Sequence, residues 1–90
     1  MKFEYDPKKS VINQQKHGIS FEEIKLLWSV PAIEITARTI DEPRFMIIGK
    51  IRGHFYSCIY TTRSEDSIRL ISARRSRKSE EAIYHDHIKT

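Results

Sequence analysis

Residues 68–78 read Ile-Arg-Leu-Ile-Ser-Ala-Arg-Arg-Ser-Arg-Lys, a strand-like run that feeds into a cluster of cations without one acidic residue. Arg69, Arg74, Arg75, Arg77 and Lys78 would repel one another unless phosphates or a carboxylate-rich partner neutralised them. Arg63 closes the preceding strand-like segment after Tyr60-Thr61-Thr62, and Arg74 closes the next after Ser72-Ala73. A guanidinium donates two parallel hydrogen bonds to a phosphate. It therefore suits the extra negative charge of the phosphorane formed when RNA is cut through its 2′-hydroxyl. That reaction also needs one group to take the 2′-hydroxyl proton and one to protonate the leaving 5′-oxygen. Arginine stays protonated, so His17, Lys16, Glu80 and Tyr84 are the candidates. Tyr56 and Tyr60 could stack a base, and on an alternating strand they suit the core equally well. The plain alternative for the whole cluster is a solvated cationic rim.

His17 stands at an expected helix end, where the macrodipole would stabilise it with no further role; the same position could let an imidazole move a proton or ligate phosphate. The sequence leaves both open. His85 and His87 resemble a metal pair, but a two-residue separation sends them to nearly opposite faces of a helix, so no metal site is expected. There is no GxGxxG, P-loop, HExxH or Gly-x-Ser-x-Gly pattern, which removes support for nucleotide-dependent transfer, zinc proteolysis and serine hydrolysis.

The elements that must position these groups are legible along the chain. Lys2 to Tyr5 alternates as a short strand, and Asp6-Pro7 opens a helix that should stop at His17-Gly18, with Val11 and Ile12 as its apolar contacts. Ser20-Phe21-Glu22-Glu23 is a capping-box pattern, with Ile19 and Ile24 spaced as a hydrophobic staple. Phe21, Ile24, Leu27 and Trp28 then continue one helical face toward Pro31. From Ala32 the period changes to two: Ile33, Ile35 and Ala37 alternate with Glu34, Thr36 and Arg38. After a loop at 39–43 come strands over Arg44–Ile51, His54–Arg63 and Ile68–Arg74, joined by turns at Arg52-Gly53 and Ser64–Ser67. That hairpin would leave Arg63 and Arg69 near its turn and Arg74 at its far end. Ser79-Glu80-Glu81 caps a last helix to about Ile88. The order is β-α-α-β-β-β-β-α, an α+β fold with a twisted antiparallel sheet, a helical hairpin and a carboxy-terminal helix.

Ninety residues, 39% hydrophobic and 31% charged, fit one domain over 1–90. No apolar run approaches a membrane span and no signal core opens the chain, so a cytoplasmic protein is expected. The single cysteine, Cys58, excludes an internal disulfide and reads as a buried core thiol. Net charge is +4, but residues 1–42 carry six Lys/Arg against seven Asp/Glu, whereas residues 43–90 carry ten against five. Basicity confined to one half points to a face for nucleic acid or an acidic protein.

FEYDP near the start, KHGISFEE across the hairpin, Arg44-Phe45 with Ile48-Gly49, Tyr60-Thr61-Thr62-Arg63, and Ile68 to Arg75 with Glu80 and Tyr84 together resemble the BrnT toxins of bacterial type II toxin-antitoxin pairs. The resemblance spans nearly the whole length. It implies a RelE-like fold and a ribonuclease that stops translation. It also implies a BrnA-like antitoxin with a ribbon-helix-helix DNA-binding portion, the complex repressing its own operon. It places Lys16, His17, Arg44, Arg63, Arg74 and Arg75 along the RNA site, with Glu80 and Tyr84 as support. Two residues depart from the family pattern. Tyr5 stands where tryptophan is common, and Pro43 stands where a glutamate commonly precedes Arg44, leaving Glu42 to substitute.

The sequence therefore predicts a metal-independent endoribonuclease with no cofactor, Arg63, Arg74, His17 and Lys16 carrying the chemistry. Arg44, Arg75, Arg77, Lys78 and Tyr60 are expected to bind RNA, with Arg77 and Lys78 steering RNA or meeting the antitoxin. The competing expectation is a non-catalytic binding module or co-repressor subunit whose basic face takes an acidic partner or DNA phosphates.

Overall fold

Asp6 and Gly18 set the ends of the first helix, α1 (Pro7–His17). The Asp6 carboxylate accepts the Lys8 amide at 2.9 Å, and Gly18, at φ 75°, sends its amide back to the Gln14 carbonyl. Ser20 and Glu23 form a reciprocal capping box that opens α2 (Phe21–Ile24). The helix expected to run on toward Pro31 instead tightens after four residues into a 3-10 segment, Lys25–Trp28. With about three residues per turn, Ile24 and Leu27 fall one above the other, and both are fully buried.

The structure, a computed structural model, describes residues 1–37 and 41–88; Arg38, the Thr39-Ile40 start of the expected loop, Lys89 and Thr90 lie outside them. Strands β1 (Lys2–Glu4), β2 (Ala32–Ala37), β3 (Arg44–Ile51), β4 (His54–Ser64) and β5 (Ser67–Arg75) form one sheet in the order β1-β5-β4-β3-β2. β2 to β5 are the antiparallel meander expected from their short connections, and the fold is the α+β class read from the sequence. β1 is the exception, pairing parallel with β5 through Lys2–Ser67, Phe3–Ile68 and Glu4–Arg69. Arg52 (φ 49°) and Gly53 (φ 86°) make the two-residue β3–β4 turn, a geometry that needs two left-handed positions.

Ile19, Phe21, Ile24 and Leu27 pack against Ile47, Ile51, Cys58, Tyr60, Ile68, Leu70 and Ala73 on one face of the sheet. α3 (Lys78–Ile88) lies on the other face over β2 and β3, where Tyr84 packs edge-on against Phe55. Tyr5 meets Phe21 in a T-shaped contact and donates its hydroxyl to Glu22, so it fills an aromatic packing role. Ser79, expected as a cap, lies inside α3; the Glu80 carboxylate takes over, accepting the Arg77 amide at 2.9 Å.

α1 departs most from expectation. Val11 and Ile12, expected as its contacts, are 56% and 49% exposed, while Ser10 and Asn13 are buried. The cause is what α1 packs against: the outer edge of β5, which among the described residues pairs with a strand only at Ser67 to Arg69, through β1. Asn13 plays the part of a neighbouring strand there. Its Nδ2 donates to the Ala73 and Ile19 carbonyls, both at 2.8 Å, and its Oδ1 accepts the Ala73 amide at 3.2 Å. Ser10 Oγ accepts the Phe21 amide at 2.9 Å. An apolar residue could satisfy none of these groups. Asn13→Ala is expected to cost about 2–4 kcal/mol, since it strands three buried backbone groups at roughly 1–3 kcal/mol each with partial rescue by water. Asn13→Asp should cost at least as much, because a carboxylate would face two carbonyls. Urea denaturation midpoints measure both.

Candidate functional site

Two irregularities in the β4–β5 ladder shape the basic surface. The register shifts by one between Ile59 and Tyr60, leaving Ile71 as an extra residue on β5, and shifts back past Thr62, leaving Arg63 extra on β4. Beside the first bulge, Ile71 and Ser72 line, with Lys9, Ile12, Asn13, Lys16, His17 and Phe21, an open cleft of about 220 Å3. Lys9, Ile12, Asn13 and Lys16 recur at helical spacing on one face of α1, so the cations line one wall. Lys16 and His17 thus share the cleft with Ser72 and with Lys9, which sequence reasoning missed. Its helical phase with Lys16 was the signal that could have found it.

Arg74 is two strand positions beyond Ser72, and the pairings Ile59–Ser72 and Ser57–Arg74 put both on the same face, about 7 Å apart. Its guanidinium is held in a fork: one terminal nitrogen donates to Glu80 Oε1 at 2.8 Å and to the Arg75 carbonyl at 3.1 Å, the other to Glu80 Oε2 at 2.7 Å. Arginine carries five N–H donors, so two keep no protein partner among the described residues. Glu80 also accepts Ser57 Oγ at 2.8 Å, and Ser57 Oγ lies 2.8 Å from Ser76 Oγ. Burial pushes the Glu80 carboxyl up, but the hydrogen bonds from Arg74, the Arg77 amide and Ser57, with the Arg74 charge, outweigh it and hold the group at about 2. Glu80 is therefore an acceptor that orients Arg74 and cannot release a proton near neutral pH; Arg74 is in turn raised by its bond to Glu80.

The other predicted residues fall into separate neighbourhoods. Arg75 is exposed on the opposite face of β5 with its guanidinium over the Tyr56 ring at 5.8 Å, and Arg77 and Lys78 are exposed at the start of α3. Arg63 sits at the other end of the sheet, six β4 positions from the residue facing Arg74, or about 20 Å at the strand rise. It lies 4.0 Å from Glu4, which is also 3.9 Å from Arg69. Arg63 and Arg74 therefore cannot touch one phosphorus. Arg44 lies 3.6 Å from Glu42, and the Thr61 hydroxyl donates to the Pro43 carbonyl at 2.6 Å, so Pro43 anchors this strand edge through its backbone. Tyr60 is 5% exposed, its ring between Trp28 and Phe45 and its hydroxyl donated to Glu34 at 2.7 Å. It offers a ligand no ring face; burial and the Glu34 bond push its phenol up, so it stays protonated. Tyr84 lies against Phe55 and His85, away from the cleft, with its hydroxyl 3.4 Å from the Pro31 carbonyl. Among the described residues no three His, Cys, Asp or Glu side chains converge as metal ligands.

The lowered Glu80 carboxyl makes the stability of the fold depend on pH. Its contribution to stability is complete above the unfolded value of 4.5 and is lost as pH falls toward about 2. Glu80→Gln should be less stable than the parent at pH 7, and the gap should narrow steadily between pH 4.5 and 2. Urea titrations of both proteins across that window would show it; a gap that stays constant with pH would remove Glu80 as the ionised anchor.

The family model described as "Ribonuclease toxin, BrnT, of type II toxin-antitoxin system" matches residues 5–80. Among solved structures, the crystal structure of the Brucella abortus ribonuclease toxin BrnT is similar to this chain at 25% identity and a TM-score of 0.64, covering 87% of this chain and 99% of its own. No match was found among the curated proteins. No helix among the described residues is long and apolar enough to cross a membrane. A match over residues 5–80 takes in α1, both bulges and Arg74 with Glu80, and the chain belongs to the BrnT family of ribonuclease toxins of type II toxin-antitoxin systems.

Proposed function

We propose that this chain is a metal-independent endoribonuclease that cuts RNA through the 2′-hydroxyl, halts translation in the cytoplasm, and is restrained by a BrnA-like antitoxin. What supports this is that Lys9, Lys16 and His17 share one cleft with Ser72, and Arg74 lies about 7 Å from Ser72 along the same strand face. Imidazole is the side chain that most readily exchanges a proton at physiological pH, so His17 takes the 2′-hydroxyl proton. Lys9 and Lys16 hold the phosphate, and the two unpartnered N–H groups of Arg74 meet the charge that grows on the phosphorane. Lys16, or the imidazolium once formed, protonates the leaving 5′-oxygen. Arg63 and Arg44, at the far end of the sheet, contact other phosphates of the same strand, while Arg75, Arg77 and Lys78 steer RNA or meet an acidic antitoxin surface. Operator DNA is reached only through the antitoxin complex.

A second reading has one observation in its favour: Glu80 already neutralises Arg74, as a structural ion pair would. On that reading the chain is a binding module or co-repressor subunit. Incubating the purified, partner-free protein with total RNA in EDTA separates the two. The ribonuclease reading predicts fragments ending in 2′,3′-cyclic phosphate, with cleavage reduced about 100-fold or more in His17→Ala and in folded Arg74→Lys. Arg63→Ala should weaken RNA retention and its salt dependence with a smaller loss of cleavage. Intact RNA with salt-sensitive retention would favour the binding module.

A further inference from the structure

A second depression, absent from the reaction just described, lies between β2, β3 and β4 at the end of the core. It encloses about 320 Å3 between Glu34, Ile35 and Thr36 of β2, Phe45 of β3, and Tyr60 and Thr62 of β4. Register explains why these residues meet: Thr36 faces Phe45 and Phe45 faces Tyr60 across adjacent strands, so one row of the helix-covered face continues past the helices. Half-buried Phe45 stacks on Tyr60 at 5.6 Å and 30°, which leaves part of its apolar surface to the depression. Glu34 is exposed but oriented, because Tyr60 donates to its Oε1 at 2.7 Å. A carboxylate oxygen accepts more than one hydrogen bond, so both Glu34 oxygens retain capacity. Thr36 and Thr62 are exposed and add hydroxyls at the rim.

We infer that this depression is a nucleobase subsite selective for guanine. The inference rests on the ribonuclease reading only for its biological use, not for binding. An aromatic ring at the wall of an open depression takes any base by its π-face, so Phe45 supplies affinity without choice. Choice comes from Glu34, an oriented group that only accepts. Guanine presents two adjacent donors, N1–H and the N2 amine, on its Watson–Crick edge, and a carboxylate takes both. Adenine and cytosine present one amine beside an acceptor that a carboxylate repels, and uracil one imide N–H between carbonyls. One good bidentate pair discriminates by about 5- to 150-fold.

Trp28 contacts Tyr60 at 5.3 Å and is the only tryptophan, so its fluorescence reports the site. Titrating the full-length protein with GMP, AMP, CMP and UMP should show GMP binding at least about tenfold more tightly than the others. Glu34→Gln keeps an acceptor for Tyr60 but replaces one oxygen by a donor, and should remove the GMP preference while leaving the unfolding midpoint in place. Phe45→Leu should weaken all four nucleotides together. Equal binding of the four, no binding, or an unchanged preference in Glu34→Gln would each overturn the subsite. RNA digestion gives an independent arm: cleavage without guanine bias ends this inference but leaves the ribonuclease, whereas GMP selectivity without cleavage does the reverse.

Discussion

The open outer edge of β5 governs how this fold closes. β1 covers only Ser67 to Arg69, and the strand continues to Arg75 with its backbone facing outward. An open edge of that length invites pairing with another chain and leaves buried polar groups unmet. At buried Ala73 Asn13 answers this by giving the amide and carbonyl the partners that a sixth strand would have supplied. Because the same side chain also holds the Ile19 carbonyl, it fixes the α1–α2 corner against the sheet. The cleft carrying Lys9, Lys16 and His17 is a by-product of that docking. The wall of the candidate site and the closure of the fold are one arrangement.

A second consequence concerns charge. Cations crowded near a strand end repel one another, and the fold separates them rather than neutralising them all. Arg74 turns to one face and is clamped by Glu80; Arg75 turns to the other and covers Tyr56; Arg77 and Lys78 are carried off by α3. Glu80 thereby joins α3 to β4 and β5 through Ser57 and Arg74 while it caps its own helix at Arg77. Fixing the guanidinium in advance avoids reorganisation when charge develops beside it, which is the condition for strong electrostatic stabilisation. Ionised Glu80 is thus compatible with a reactive Arg74, although it takes part of that arginine's capacity.

The elements were largely legible, and for physical reasons. Local signals such as Asp6-Pro7, Gly18, the Ser20/Glu23 box and Arg52-Gly53 act within a few residues, and each formed where it was read. What failed depended on distant partners. Val11 and Ile12 are apolar, but which face of α1 points inward was decided by a strand edge sixty positions away, where a polar Asn13 wins over an apolar residue. The parallel pairing of β1 and the 3-10 tightening after Ile24 are likewise tertiary outcomes. For the candidate site, residue types were legible and grouping was not. The bulges at Ile71 and Arg63 leave no mark on the alternation, and the shared cleft of Ser72 and Lys16 and the separation of Arg63 from Arg74 follow from strand pairing and helix docking that no local pattern encodes.

On the ribonuclease reading, RNA occupies the α1–β5 cleft and continues onto Arg74. The most direct test is amide chemical-shift mapping with a short 2′-O-methyl oligoribonucleotide, which cannot be cut through its 2′-oxygen. The largest shifts should fall over Lys16 to Gly18 and Ile71 to Arg75. Saturating shifts elsewhere on the sheet, with those two segments unmoved, would contradict it.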